Sequence, residues 1–193
     1  MKQFSLLILC AAALFSCRQP LQKTDEVETK TTKDIVIETI MSRRSIRSYL
    51  PEQIKDEELN QIIRCAINAP SARNSQSWEV RVVQKPEILQ AVSDKLYGAP
   101  TVIVVASDKS NPYSAVDCGL FAQNALLAAE ALNIGTCVIA NVIPFFSSPE
   151  GKDALAQLNL PEGYAPLFTI AVGYKNEQPE AKPRIAEKVQ VIK

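Results

Sequence analysis

Residues 115–135 read AVDCGLFAQNALLAAEALNIG, and Leu120, Phe121, Ala125, Leu126, Leu127 and Ala131 circle the helix axis instead of forming one stripe. A helix that is apolar on nearly every side has to be enclosed by other elements. Gly135 supplies its stop, because glycine enters the left-handed conformation that ends helices without a Cβ penalty. The neighbouring segments say what encloses it. Residues 101–106, TVIVVA, form an unbroken apolar run of strand length, the pattern of a strand covered on both faces. Residues 136–140 and 167–172 give two more short apolar strands, and residues 78–83 alternate in the manner of a further strand. Helical spacing recurs at Ile35, Ile37, Ile40 and Met41, at residues 86–96 and near residues 150–158. It recurs once more at Leu59, Ile62, Ile63 and Ala66, after the acidic start Asp56-Glu57-Glu58 and before Pro70. Strands and helices interleave, so the class expected is α+β in three layers.

The chain has 193 residues, 47% apolar and 22% charged, which suits one globular domain. Lys plus Arg and Asp plus Glu both number 21, so no broad positive field exists to gather nucleic acid, and nucleic acid is not expected as a partner. The first residues are a different object. Met1-Lys2 precedes an almost wholly apolar run over residues 4–16, too short for the ~20 residues that span a bilayer. Leu14-Phe15-Ser16-Cys17 resembles the bacterial lipobox, which predicts a signal peptide over residues 1–17, lipid attachment at Cys17 and export to the periplasmic or outer-membrane side. Residues 18–33 are polar and cannot bury enough surface to offset chain entropy, so they are expected to be a tether, with the folded domain over residues 34–193.

The chain contains no histidine, which excludes a Ser-His-Asp triad and imidazole metal ligands. Cys65, Cys118 and Cys137 are odd in number and lack CxxC spacing, so buried free thiols are expected and no metal site. Three other clusters carry possible chemistry. Arg43-Arg44-Ser45-Ile46-Arg47 places guanidinium groups and a hydroxyl at a helix end, a cradle for a phosphate or simply a solvated basic face. Residues 69–78, APSARNSQSW, crowd amides and hydroxyls beside an aromatic. Turn chemistry explains part of that, but Asn74 and Gln76 also suit the edge of a planar heterocycle with alternating donors and acceptors. Lys182-Pro183-Arg184 sets two more cations in a polar tail that ends in the alternating apolar set Val189, Val191 and Ile192.

Taken in order, RRSIRSY, APSARNSQSWE, DCGLFAQNALLAAEALNIGT and GY followed by KPR resemble the nitroreductase family of FMN-dependent oxidoreductases, over roughly residues 34–184. The resemblance implies a three-layer α/β/α sandwich on a mostly antiparallel sheet, with C-terminal arms exchanged in a homodimer and the site between subunits. It implies that Arg43 and Ser45, with Arg44 beside them, hold the FMN phosphate and that Lys182 and Arg184 complete that site. Arg47 and Asn74 would meet the pyrimidine end of the ring, with Gln76 in the same turn. A cation there favours the reduced ring, whose negative charge gathers on that side. The implied activity is a ping-pong transfer from a reduced donor such as NAD(P)H to a nitroaromatic, quinone or similar acceptor, which needs no protein acid or base. Two departures stand out. Ser77 replaces the proline usual before the tryptophan, which is expected to loosen the turn, and residues 135–146 are chemically mute apart from Asn141. Phe145 and Phe146 are read as core packing ahead of pocket walls. An exported lipoprotein would not meet cytoplasmic NAD(P)H, so a tethered flavin- or ligand-binding lipoprotein without turnover is the other reading.

Overall fold

A computed structural model describes residues 30–193. The expected signal peptide, the lipid attachment expected at Cys17 and most of the expected tether fall outside the described residues. The first helix, α1 (Thr32–Ser42), begins inside the segment expected as tether, because Thr31 caps it. The Thr31 hydroxyl accepts from the Asp34 N–H at 3.3 Å while the Asp34 carboxylate accepts from the Thr31 N–H at 3.2 Å, a reciprocal capping box. In α2 (Asp56–Ile67) the Glu58 carboxylate likewise reaches back to the Lys55 N–H at 3.1 Å.

Four strands follow, β1 (Trp78–Val83), β2 (Thr101–Asp108), β3 (Ile134–Ile139) and β4 (Tyr164–Tyr174), in the spatial order β1-β2-β4-β3 with every pair antiparallel. Between them run α3 (Pro86–Ala91), α4 (Ser114–Ala131), the single turn α5 (Ile143–Phe146) and α6 (Lys152–Gln157). The expected α+β, three-layer architecture is what forms. Strand alternation divides the core in two. Val102, Val104, Ala171, Cys137 and Ile139 pack with Ile88, Phe146 and Ala154 of α3, α5 and α6, and with Leu158 just beyond α6, on one face. Ile103, Val105, Ile170, Val172 and Ile134 pack with Ile62 and Ala66 of α2 and with Cys118, Phe121, Ala125 and Ala129 of α4 on the other. Phe121 and Ala129 are fully buried, but Val116, Leu120 and Ala131 are exposed, so the described residues do not enclose α4 on every side as its all-round apolar reading required.

Three details depart from expectation. Helix α4 ends at Ala131, and Asn133, at φ 57°, takes the left-handed position expected of Gly135, which lies inside β3. Strand β4 starts at Tyr164, earlier than Leu167, because a bulge absorbs the obstacle: Val105 pairs with Phe168 and Ala106 with Pro166, which leaves Leu167 as the extra residue. A bulge is where a strand tolerates a proline. Cys65 is exposed, whereas Cys118 and Cys137 are buried as expected. Cys65 belongs to α2, whose buried positions are Ile62 and Ala66, and it falls on the outer side of that helix.

Two segments find no cover among the described residues. Helix α1 buries none of its residues, and Ile35, Val36, Ile37, Ile40 and Met41 are all at least half exposed. In the tail, Ile185, Val189, Val191 and Ile192 are exposed as well. Eleven residues make a marginal helix in water, so α1 depends on packing that the described chain gives only at its end, where the Ser42 hydroxyl donates to Glu130 of α4 at 3.1 Å.

Candidate functional site

The chain leaving α1 runs along the outer edge of β3. Ser45 bridges Thr136 in parallel, and the Ile46 N–H donates to the Thr136 carbonyl at 2.9 Å. Gly135 permits this approach, since a Cβ there would stand 3.0 to 3.1 Å from three atoms of the Ile46 side chain. Ile46 then plugs into the core, and the Tyr49 hydroxyl donates to the Ile46 carbonyl at 2.6 Å. From the other side comes the chain leaving β4. The Asn176 N–H donates to the Ser48 carbonyl at 3.0 Å, and the Glu177 carboxylate accepts the Arg47 N–H. Residues from both sides therefore close one cavity of about 120 Å³, lined by Arg43, Arg44, Ser45, Arg47, Pro179, Glu180, Lys182 and Arg184.

Two sequence clusters separated by the whole sheet are thus joined, with five cations facing one carboxylate. Among the described residues none of the five makes an ion pair. Arg47 donates to the Ser45 carbonyl at 3.3 Å, and Arg184 to the carbonyls of Lys182 at 2.8 Å and Pro183 at 3.3 Å. Arg44 has another task besides the phosphate role expected of it. Its Nη1 donates to the carbonyls of Met41, Ser42 and Arg43 at 2.7 to 2.9 Å, closing the C-terminal turn of α1, while its Nε is buried without a partner. Uncompensated guanidinium groups, a hydroxyl and an orphaned buried donor fit a doubly charged phosphate. The field of these cations reaches inward: burial pushes the Cys137 thiol up, and Arg47, Ser45 and Arg43 pull it back down.

Asn74 and Gln76 sit elsewhere, on the turn between α2 and β1. Arg73, Asn74 and Gln76 all hold positive φ, at 56°, 56° and 48°, in the left-handed region that residues with a Cβ rarely enter. A buried polar network pins this turn. Asp117, in the first turn of α4 and 1% exposed, accepts from the Ala72 N–H at 3.0 Å and the Ser75 hydroxyl at 3.5 Å. The Ser71 hydroxyl accepts from the Gln76 N–H at 2.9 Å. Ser77 does not leave the turn loose. It is buried, with its hydroxyl 2.8 Å from that of Ser75 and bonded to the Asn111 amide, and its carbonyl accepts from the Ser114 hydroxyl. Sequence reasoning missed Asp117, whose place in a helix's first turn reads as ordinary dipole compensation. Asn141 is exposed, and Phe146 is core, its ring edge-on to the partly buried Phe145 at 5.7 Å.

The turn and the cradle do not meet within one chain. Trp78 stands opposite Ser107, and Ser107 opposite Ala165, whereas Thr136 stands opposite Val172. They lie at opposite edges and opposite ends of the sheet, about 20 Å apart along the strands and about 14 Å across them.

An antiparallel sheet between two helical layers, with a cationic cradle on its edge and a strained amide-bearing turn at the far corner, defines a class of α+β proteins built to hold a phosphorylated ligand. The description "Nitroreductase family" matches over residues 40–96 and 90–174, and the chain belongs to the nitroreductase family. It is 33% identical over 171 residues to a protein of Methanothermobacter thermautotrophicus, spanning 83% of this chain and 88% of that one. It is 33% identical over 177 residues to the NADPH-flavin oxidoreductase of Vibrio harveyi, spanning 80% of this chain and 72% of that protein. Among solved structures, the nitroreductase with bound FMN from Desulfitobacterium hafniense superposes with a TM-score of 0.76 at 28% identity, covering 82% of this chain and 98% of that one.

Proposed function

We propose that this chain is an FMN-dependent oxidoreductase of the nitroreductase type, working as a homodimer on small-molecule donors and acceptors. The observation that carries it is the single cavity in which Arg43, Ser45 and Arg47 from one end of the domain meet Lys182 and Arg184 from the other. Bound FMN would supply hydride transfer, from a reduced donor such as NAD(P)H to a nitroaromatic, quinone or similar acceptor, in two separate half-reactions. The chain's own residues bind and orient. Arg43, Ser45, Lys182 and Arg184 hold the phosphate, and Arg47 stabilises negative charge at the pyrimidine end of the ring. Asn74 and Gln76 offer donors and acceptors to that same end. Because the turn and the cradle of one chain lie farther apart than one FMN reaches, the turn is supplied by a second copy, seated on the exposed face of α1 and the apolar tail.

The relatives' donor is a cytoplasmic currency, while the N-terminal residues read as an export signal with Cys17 as the lipid anchor. We therefore also propose a membrane-tethered enzyme on the periplasmic or outer-membrane side, fed by a membrane or periplasmic carrier. The test of function is reconstitution. The purified protein, given excess FMN and stripped of the unbound fraction, should show the visible bands of oxidised flavin at one per chain and turn over artificial acceptors. A colourless protein overturns the flavin reading, and a yellow one without turnover leaves a flavin-binding lipoprotein.

A further inference from the structure

Nothing in the cradle explains how Arg73, Asn74 and Gln76 are kept in a conformation that their side chains disfavour. Such residues persist only where the surroundings over-determine them. Helix α4 does this from a single face. Asp117 takes the Ala72 N–H at 3.0 Å at the start of the turn and the Ser75 hydroxyl at 3.5 Å in its middle. One helical turn on, the Phe121 ring meets the Trp78 ring at 5.5 Å at the end of the turn. The Trp78 N–H closes the turn on the Gln76 carbonyl at 2.7 Å. A carboxylate 1% exposed is costly unless its bonds are made, and here every recorded bond goes to the turn.

We propose that Asp117 is a positioning residue of the flavin site, holding the turn so that Asn74 and Gln76 face outward toward the ring. The proposal rests on the reading of that turn as the ring end of the site. Asp117 itself touches no ligand. Its side chain is sealed inside, and its effect passes through Ala72 and Ser75 to Asn74. Its withdrawal would leave the cradle's charges in place and change only what the ring meets.

The test compares wild type, Asp117→Ala, Asp117→Asn and Ser75→Ala in the full chain. Without FMN, backbone amide exchange over residues 72–76 should quicken about tenfold in Asp117→Ala. The emission of Trp78, the only tryptophan, should shift with it. With FMN, affinity should fall about tenfold and both the bound flavin's visible spectrum and its two-electron potential should move. Asp117→Asn should restore most of this, since its oxygen still accepts the Ala72 N–H. Ser75→Ala, an exposed position, should give a smaller change of the same sign without threatening the fold. Unaltered exchange in both Asp117→Ala and Ser75→Ala overturns the proposal, as does a lowered melting temperature with wild-type spectrum and potential. Failure of the wild type to bind FMN would instead overturn the flavin reading, while the exchange measurement still decides whether Asp117 holds the turn.

Discussion

The cradle and the turn reach their shapes by opposite means. The cradle's selectivity lies in side-chain charge, five cations on chain that hugs the edge of β3 and on the segment beyond β4. The turn's lies in its backbone, three residues at positive φ held by a buried carboxylate. Charge acts at a distance and tolerates small shifts, whereas hydrogen-bonding edges need placement within a few tenths of an ångström. The cradle contributes mainly charge and the turn mainly geometry, and each can be altered while the other stays in place.

The largest effect should come from the cradle. Arg43→Ala and Arg184→Ala should each weaken FMN binding by about 1.5 to 3 kcal/mol, the scale of a charge-assisted hydrogen bond, as read by fluorescence titration. The double variant should depart from additivity, since both groups line one cavity. Unchanged affinity in both single variants would remove the phosphate from this cavity. Next, Arg47→Ala should lower the two-electron potential by roughly 30 mV, the equivalent of about 1.4 kcal/mol in such a couple, and dye equilibration would measure it. A wild-type potential would place Arg47 away from the ring. The turn should answer differently to the same kind of change. Arg73→Gly relieves a left-handed residue and should stabilise the FMN-free protein by about 1 kcal/mol in thermal unfolding, where glycine in place of a cradle arginine only weakens binding.

The smallest effect sharpens the contrast through two thiols. Burial raises both Cys118 and Cys137, but Asp117 raises Cys118 further while Arg47 and Arg43 lower Cys137. Arg47→Ala should thus push the Cys137 thiol up, and Asp117→Asn should bring the Cys118 thiol down, followed by pH-dependent alkylation. Because both folded values lie above the ordinary cysteine value, the stability they carry is whole below it and is lost as the pH rises through the raised values. Replacing both cysteines with alanine should flatten the alkaline decline in melting temperature.

The elements were legible because period and punctuation agreed: TVIVVA became β2, and the all-round apolar helix became α4. The cationic clusters were legible as charge, and their order as a resemblance. Three things were not. Pro166 hid the first residues of β4, because a bulge depends on the partner strand. The single turn α5 is too short to show a period. The hold of Asp117 on Ala72 joins residues from different elements, and a lone aspartate near a helix start carries no mark of what it will face.

The bridge from Ser45 to Thr136 and the passage of Lys182 and Arg184 over the same edge have a consequence for assembly. The two halves of the cradle stand, in sequence, on either side of the four strands of the described residues, so no fragment containing fewer of them can present both halves together. The pairing of β3 with β4 must form before the cavity exists, and such non-local pairing is the slow part of folding. FMN would then bind only finished domains, adding stability by mass action at the last step and none to the intermediates. Retention of the flavin thus becomes a record that the two ends of the domain have met.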